Sequence, residues 1–296
     1  MKKLVILAWA MIAMAACVKE QNNTVVPGSD VICLSTSIGD LTRSTLTGGE
    51  AQNVQFVAGK EIFVEAYKAG ADVTYTTGIY TTAAEGAMTG SLYYPADLSN
   101  IDICAFYPAA VNSATTSFTV GSTQSSVAEY QVNDLMYATK LENKAKGTIH
   151  ALTFHHALAK VVVNIVHGNE VTADDIEAFV TSVKINNTKP TAEFAIAAGA
   201  PGAITASGEA ADIEIVGTTK ASQAGIVVPQ TVPAGAFITV VYNGNNYVYN
   251  LAAEQAFAPG YVYTYTLTLS TAGIELSSSA IADWTAGVGG AANITL

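Results

Sequence analysis

The strongest constraint on the fold is a run near the end of the chain, residues 262–269, with the sequence VYTYTLTL. In an extended chain Tyr263, Tyr265, Leu267 and Leu269 fall on one side, and Thr264, Thr266 and Thr268 on the other. Side chains alternate across a strand, so period two with β-branched and aromatic residues specifies a strand with one buried face. A helix would scatter the same residues round its whole circumference.

Runs of the same kind fill the chain. Residues 31–37 (VICLSTS) read as a first strand, followed by 61–67 (EIFVEAY), 91–95 (SLYYP) and 101–108 (IDICAFYP). Pro95 and Pro108 each close a run, because proline has no N–H for the ladder. Residues 134–138 (DLMYA) follow a long Ser-, Thr- and Ala-rich stretch at 109–126 that reads as a loop. Residues 152–165 (LTFHHALAKVVVNI) hold two alternating runs, with a domain seam expected around His156. Residues 179–185 (FVTSVKI) return to alternation, and 197–208 read as a Gly- and Ala-rich loop. Residues 237–242 and 247–251 flank Asn243-Gly244-Asn245-Asn246, a β-hairpin signal, since Asn-Gly supplies the positive φ that tight turns need. Thr172-Ala173-Asp174-Asp175 suits the cap of a short helix. No stretch reads as a long amphipathic helix, so the expected fold is all-β and built of sandwiches.

The first 17 residues, MKKLVILAWAMIAMAAC, have a different logic. Lys2 and Lys3 precede an apolar run, 4–16, that ends in small residues just before Cys17. This is the layout of a secretory signal peptide, and it is shorter than the roughly 20 apolar residues that span a bilayer. The placement of Cys17 resembles a bacterial lipobox, in which the leader is cut before a cysteine that then carries lipid. The alternative is an ordinary cleaved leader with a chance cysteine. The expected organisation is a signal peptide at 1–16, a lipid-attached tether at 17–30, one β-sandwich at 31–157, and a second at 158–296 with a flexible C-terminal segment. The 296 residues suffice for two such domains.

Only 12% of residues are charged and the formal net charge is −11. Loss of Lys2 and Lys3 with the leader makes the remainder more acidic still. An acidic, charge-poor chain lacks the cationic footprint that nucleic acid or anionic lipid requires. The cysteines outside the leader junction, Cys33 and Cys104, lie in strand-like contexts. A disulfide is permitted outside the cytoplasm, and two separate buried thiols are the favoured alternative. Of the histidines, His150 and His156 share one face of a strand and His155 the other, which is a poor metal set, and His155 or His156 suits a structural seam position. No HExxH, CxxC, GxSxG or P-loop motif is present, and no catalytic residue, metal or cofactor is assigned. Arg43, the only arginine, sits in a Thr-, Ser- and Gly-rich stretch, where it reads as a solvated charge or as a protease-accessible point.

Several of these features occur together in one family. They are Cys17, Thr42-Arg43 after a first strand, Tyr94-Pro95 and Tyr107-Pro108, Asp134-Leu135-Met136, and Phe154-His155-His156-Ala157-Leu158-Ala159-Lys160. Pro229-Gln230, the run 257–263 (FAPGYVY) with Tyr265, and Ile281 followed by Trp284 complete the set. In this order and spacing the chain resembles the fimbrillin-like pilins of Gram-negative anaerobes, the subunits of type V pili. The resemblance implies two tandem transthyretin-like β-sandwich domains and a precursor exported to the outer membrane as a lipoprotein. It implies that a trypsin-like protease cuts between Arg43 and Ser44, freeing the first strand with its lipid. It further implies that other pilin subunits are the partners, joined by donor-strand complementation into a surface fibre. The candidate donor is Asn293, Ile294, Thr295 and Leu296, reached through the Gly-rich stretch 287–290, with a frayed tail or an edge strand of its own domain as the alternative. Arg43 favours a shaft or tip subunit over a membrane anchor. A surface glycan-binding lipoprotein is the competing class, with Trp284 and the tyrosines as candidate sugar platforms.

Overall fold

The structure, a computed structural model, describes residues 30–38 and 56–284. Cys17, Arg43, Ser44 and Asn293, Ile294, Thr295 and Leu296 lie outside the described residues. More than half of what is described is strand, with two short α-helices and one 3-10 turn.

Eight strands between Cys33 and His156 form one sheet. Its order begins with the first strand, Cys33–Ile38, beside Ile149–His156, then Met136–Ala138, Ile101–Tyr107, Glu61–Lys68, Thr74–Thr82 and Met88–Thr89. Leu141–Lys144 pairs separately with Ile101–Tyr107. One face of this sheet builds a core from Ile62, Val64, Tyr80, Ile101, Ile103, Leu152 and Phe154, among others.

Beyond Ala157 and Leu158 two further sheets face each other. One runs Val216–Thr219, Ser222–Val227, Ala159–His167, Tyr261–Ser270, Gly273–Asp283; the other runs Ala211–Glu214, Val180–Thr188, Gly235–Tyr242, Asn245–Leu251. Val161, Val163, Tyr265 and Leu267 from the first meet Val183, Ile185, Phe237 and Val240 from the second in one core, so the pair is a sandwich. Tyr261–Ser270 shows the expected alternation, with Tyr263, Tyr265, Leu267 and Leu269 all buried. The expected hairpin also forms, its turn made by Asn243 at φ 48° and Gly244 at φ 76°.

Ile101–Tyr107 is buried at every position. Ile101, Ile103, Ala105 and Tyr107 fill the first core, while Cys104 and Phe106 point the other way into the second. Phe63 and Tyr67 on the neighbouring strand also pack against the second core. The first sheet is therefore covered on both sides, and the two halves of the chain meet through apolar surface.

The run 109–126 is only partly a loop. Val111 and Val120 sit in the second core, and Ser117–Thr119 pairs with Thr191–Glu193 from the other half of the chain. The Gln124 side chain, fully buried, accepts from the Ile226 N–H at 2.8 Å and donates to the Ile226 carbonyl at 2.9 Å. It supplies both bonds that a neighbouring strand would have made. The helix Val127–Val132 follows, with Ser126 and Glu129 in a reciprocal capping box. Thr172 and Asp175 make the same box for Ala173–Phe179, as the sequence predicts.

Two expectations need correction. Residues 91–95 are not a strand: Tyr93 forms one bridge, to Val31, and Pro95 can carry the pairing no further. Residues 197–208 contain strand, because Ala198 at φ 50° and Gly199 at φ 79° turn the chain back so that Ala200–Pro201 pairs with Ile196–Ala197. Thr205–Ser207 then pairs with Thr191–Glu193.

Gln124→Leu keeps the volume but leaves a buried N–H and a buried C=O without partners. Equilibrium urea unfolding should show a loss of about 2 kcal/mol or more.

Candidate functional site: the seat of the first strand

The first strand lies between two walls. On one side it runs parallel to Ile149–His156, from Cys33 opposite Ile149 to Ile38 opposite Phe154. On the other side it meets residues 87–94. Val31 bridges Tyr93 and Ser35 bridges Ala87, both antiparallel. The Ile32 N–H donates to the Leu92 carbonyl at 2.8 Å, and the Tyr94 N–H donates to the Asp30 carbonyl at 2.7 Å.

The strand alternates, and its even-numbered residues face the core. Ile32, Leu34 and Ile38 are 0%, 2% and 1% exposed, which places them among the most buried groups in the molecule. Burying three such side chains is worth about 5–9 kcal/mol, an upper bound set by the extended-chain reference. Thr36 shares their face, and its hydroxyl donates to the Gly86 carbonyl at 3.4 Å. That place in the core is therefore small and polar, while the other three are large and apolar.

The floor of the seat is made by Thr74–Thr82 and the run after it. The Tyr80 phenol, fully buried, donates to the Ile32 carbonyl at 2.6 Å. Its ring lies flat against Gly90, where a Cβ would stand 2.5 Å from the ring carbons. Gly78 likewise leaves room for Leu92, with a Cβ there only 2.8 Å from the Leu92 Cδ2. A Cβ at Gly90 would displace the Tyr80 ring, and one at Gly78 would make the Leu92 side chain shift.

A strap joins the walls at the N-terminal end of the seat. The Tyr94 phenol donates to the Ala145 carbonyl at 3.0 Å and lies 2.7 Å from His150 Nε2. With its own hydrogen on Ala145, the phenol accepts from the imidazole. Burial, and after it the charge of Lys144, hold the His150 pKa below its ordinary value. Burial pushes the Tyr94 phenol up to about 12, Cys33 adding a smaller push. Outside the seat, Asp30 pairs with Lys146 at 2.9 Å.

The remaining sequence-predicted groups fall elsewhere. Neither Cys33 nor Cys104 is in a disulfide, both are buried, and burial pushes the Cys104 thiol up to about 11. His156 sits at the seam. Its Nδ1 is 2.9 Å from Asp134 Oδ1, and its ring stacks on Trp284 at 3.7 Å with the planes 1° apart. Trp284 is 4% exposed, so it offers no platform to a sugar. Tyr263 and Tyr265 are core residues too. Among the described residues, no three His, Cys, Asp or Glu side chains are placed to share a metal ion. No helix among them is long and apolar enough to cross a membrane.

The walls of the seat were harder to foresee than its occupant. Thr74–Thr82 reads TYTTGIYTT, and its exposed Thr-rich face hides the strand pattern. Tyr80 and Gly90 are identifiable only once the ring is seen against the glycine.

The chain is all-β among the described residues, and its first strand completes a core. A model of the fimbrillin-like family matches residues 42–284, and the chain belongs to that family. A candidate fimbrium subunit of Bacteroides uniformis, Fim1C, is 30% identical over 303 residues, covering 95% of this chain and 94% of its own. The crystal structure of a candidate cell adhesion protein from Bacteroides uniformis superposes with a TM-score of 0.65 at 27% identity, covering 88% of this chain and 99% of the other. A second such structure, from Bacteroides ovatus, has a TM-score of 0.64 at 16% identity, covers 87% of this chain and 98% of its own, and shows the same fold.

Leu34→Ala in the uncut chain removes a side chain wholly inside the core and should cost about 2–5 kcal/mol in denaturant unfolding. His150 gives a pH signature. The unfolded chain takes up a proton at the ordinary imidazole pKa, and the folded chain does so only at lower pH. Stability is therefore present above about pH 6.5 and declines as pH falls, by at most about 1.4 kcal/mol per unit for this group. His150→Gln should remove that component from a plot of unfolding free energy against pH.

Proposed function

We propose that the chain is a structural subunit, shaft or tip, of a bacterial cell-surface fimbria. It is exported as a lipoprotein precursor through residues 1–16, lipidated at Cys17, and held at the outer membrane by the tether 17–30. A trypsin-like protease cuts between Arg43 and Ser44 and frees the first strand. The C-terminal segment of a second subunit, carrying Asn293, Ile294, Thr295 and Leu296, then completes the sheet. Residues 31–157 and 158–296 act as two consecutive β-sandwich units, with the run 109–133 of the first lying against the core of the second.

One observation carries this reading: residues 32–38 supply core side chains, yet they connect to the rest only through 39–55, the stretch that contains Arg43. While that link is intact the strand competes for its seat at high effective concentration, so no outside strand displaces it. A cut turns the strand into a separate molecule that dilutes away. The walls it leaves are unpaired edges, and an edge is a template for another strand. Contacts between different surfaces of successive copies do not close, so they extend into a fibre.

N-terminal sequencing of the cell-surface form should return Ser44. Trypsin treatment of the purified chain should give ladders on SDS gels, and Arg43→Ala should abolish them. A lipid-blocked Cys17 on all mature protein would instead indicate an anchoring subunit.

A further inference from the structure

We infer that the seat dictates direction: residues 290–296 of a second copy run through it opposite to the strand they replace. Leu296 takes the place of Ile32, Ile294 that of Leu34, Ala292 that of Thr36, and Gly290 that of Ile38. This rests on the strand-exchange reading above and adds register and polarity to it.

The first observation is the order of sizes. The seat presents, from residue 32 to residue 38, two large apolar places, then the small place beside the Gly86 carbonyl, then a third large place. In an extended segment Gly290, Ala292, Ile294 and Leu296 share one face, two small residues followed by two large. Threaded in the original direction with Leu296 at the Ile38 place, Ile294 falls on the small polar place. Gly290 and Ala292 then leave both large places beside Tyr80 unfilled. Reversed, both large residues meet large places and Ala292 meets the small one. The Thr36 place loses a hydroxyl and a methyl, and the Ile38 place loses a whole side chain.

The second observation is the inequality of the walls. Ile149–His156 pairs with the resident strand over six residues, and it does so in parallel. The opposite wall contributes two antiparallel bridges. A reversed strand is antiparallel to the long wall, and antiparallel ladders are the more stable per residue. The exchange thus trades a parallel pairing for an antiparallel one along the wall that carries most of the hydrogen bonds. This gives polymerisation a direction even though the resident strand fills the core better.

Cross-linking tests it. In the reversed register Ala291 takes the place of Ser37, which lies opposite Thr153; in the original direction, with Leu296 at the Ile38 place, it takes that of Cys33, opposite Ile149. Full-length chains carrying Cys104→Ser are cut after Arg43, so that Cys33 leaves with the strand. A copy with Ala291→Cys is mixed with a copy bearing either Thr153→Cys or Ile149→Cys, under mild oxidation. Covalent dimer with Thr153→Cys and its loss with Ile149→Cys is the expected result. Dimer with Ile149→Cys alone overturns the proposal and leaves strand exchange standing. Fibres without either cross-link overturn it by showing another register or another occupant. Cut chains that stay monomeric sink the exchange reading itself, and the proposal with it. A second variant has opposite signs in the two directions. Ala292→Ile overfills the Thr36 place in the reversed register and should slow polymerisation. In the original direction, with Leu296 at the Ile38 place, it lands in the roomy Leu34 place and should speed polymerisation, which would overturn the proposal.

Discussion

The structure depends on one short strand being seated between two walls, Ile149–His156 and residues 87–94, which the Tyr94 phenol also links through His150. Ile32, Leu34 and Ile38 are as buried as any side chain in the molecule, and the Tyr80 phenol closes on the Ile32 carbonyl. The strand is thus both a core element and a sheet neighbour on each side. Its contribution is unusual only in its connectivity, since every other strand of that sheet lies on the far side of Arg43. Hydrophobic burial does not register covalent connection. The same contacts hold the strand whether or not the backbone continues, so on the reading proposed above a single cut would make an intramolecular fit exchangeable.

Around that seat the molecule is knitted together more firmly. Ile101–Tyr107 belongs to two cores at once, and the run after it crosses to the other half of the chain. Gln124 then clasps Ile226 as a strand would. Such shared elements leave little apolar surface to hinge about. These ties between the other sheets do not involve the first strand.

Much of this was legible in the residues because period two is hard to mistake. Residues 262–269, the Asn243-Gly244 hairpin and the first strand all carry strong alternation or turn chemistry, and the structure places them as read. Gly273–Asp283 was not read as a strand, because its serines carry little strand preference. It forms because Tyr261–Ser270 offers a long edge to pair with. The Ala198-Gly199 turn went unread since alanine seldom takes positive φ. Ser126 and Glu129 carried a legible capping signature, but the six-residue helix they cap lacks the periodicity that draws attention to longer ones. As for the seat, its occupant was visible in VICLSTS, whereas its floor depends on a ring meeting a glycine ten residues away, a relation without any local pattern.

The stacked Trp284 has a mechanical meaning. It ends the last described strand, with its amide on the Gly260 carbonyl and its ring on His156, which belongs to the other half of the chain. Tension applied through residues 285–296 enters the body at this indole. If the pull lies along the axis of Gly273–Asp283, it falls on the ladder to Tyr261–Ser270, which is paired from Gly273 to Asp283 with one irregularity beside Leu267. A ladder stressed in this shearing geometry must break many bonds together, where a peeled one yields them singly. The indole anchors the point where the load arrives, and the long serine-rich strand behind it spreads that load over the sheet.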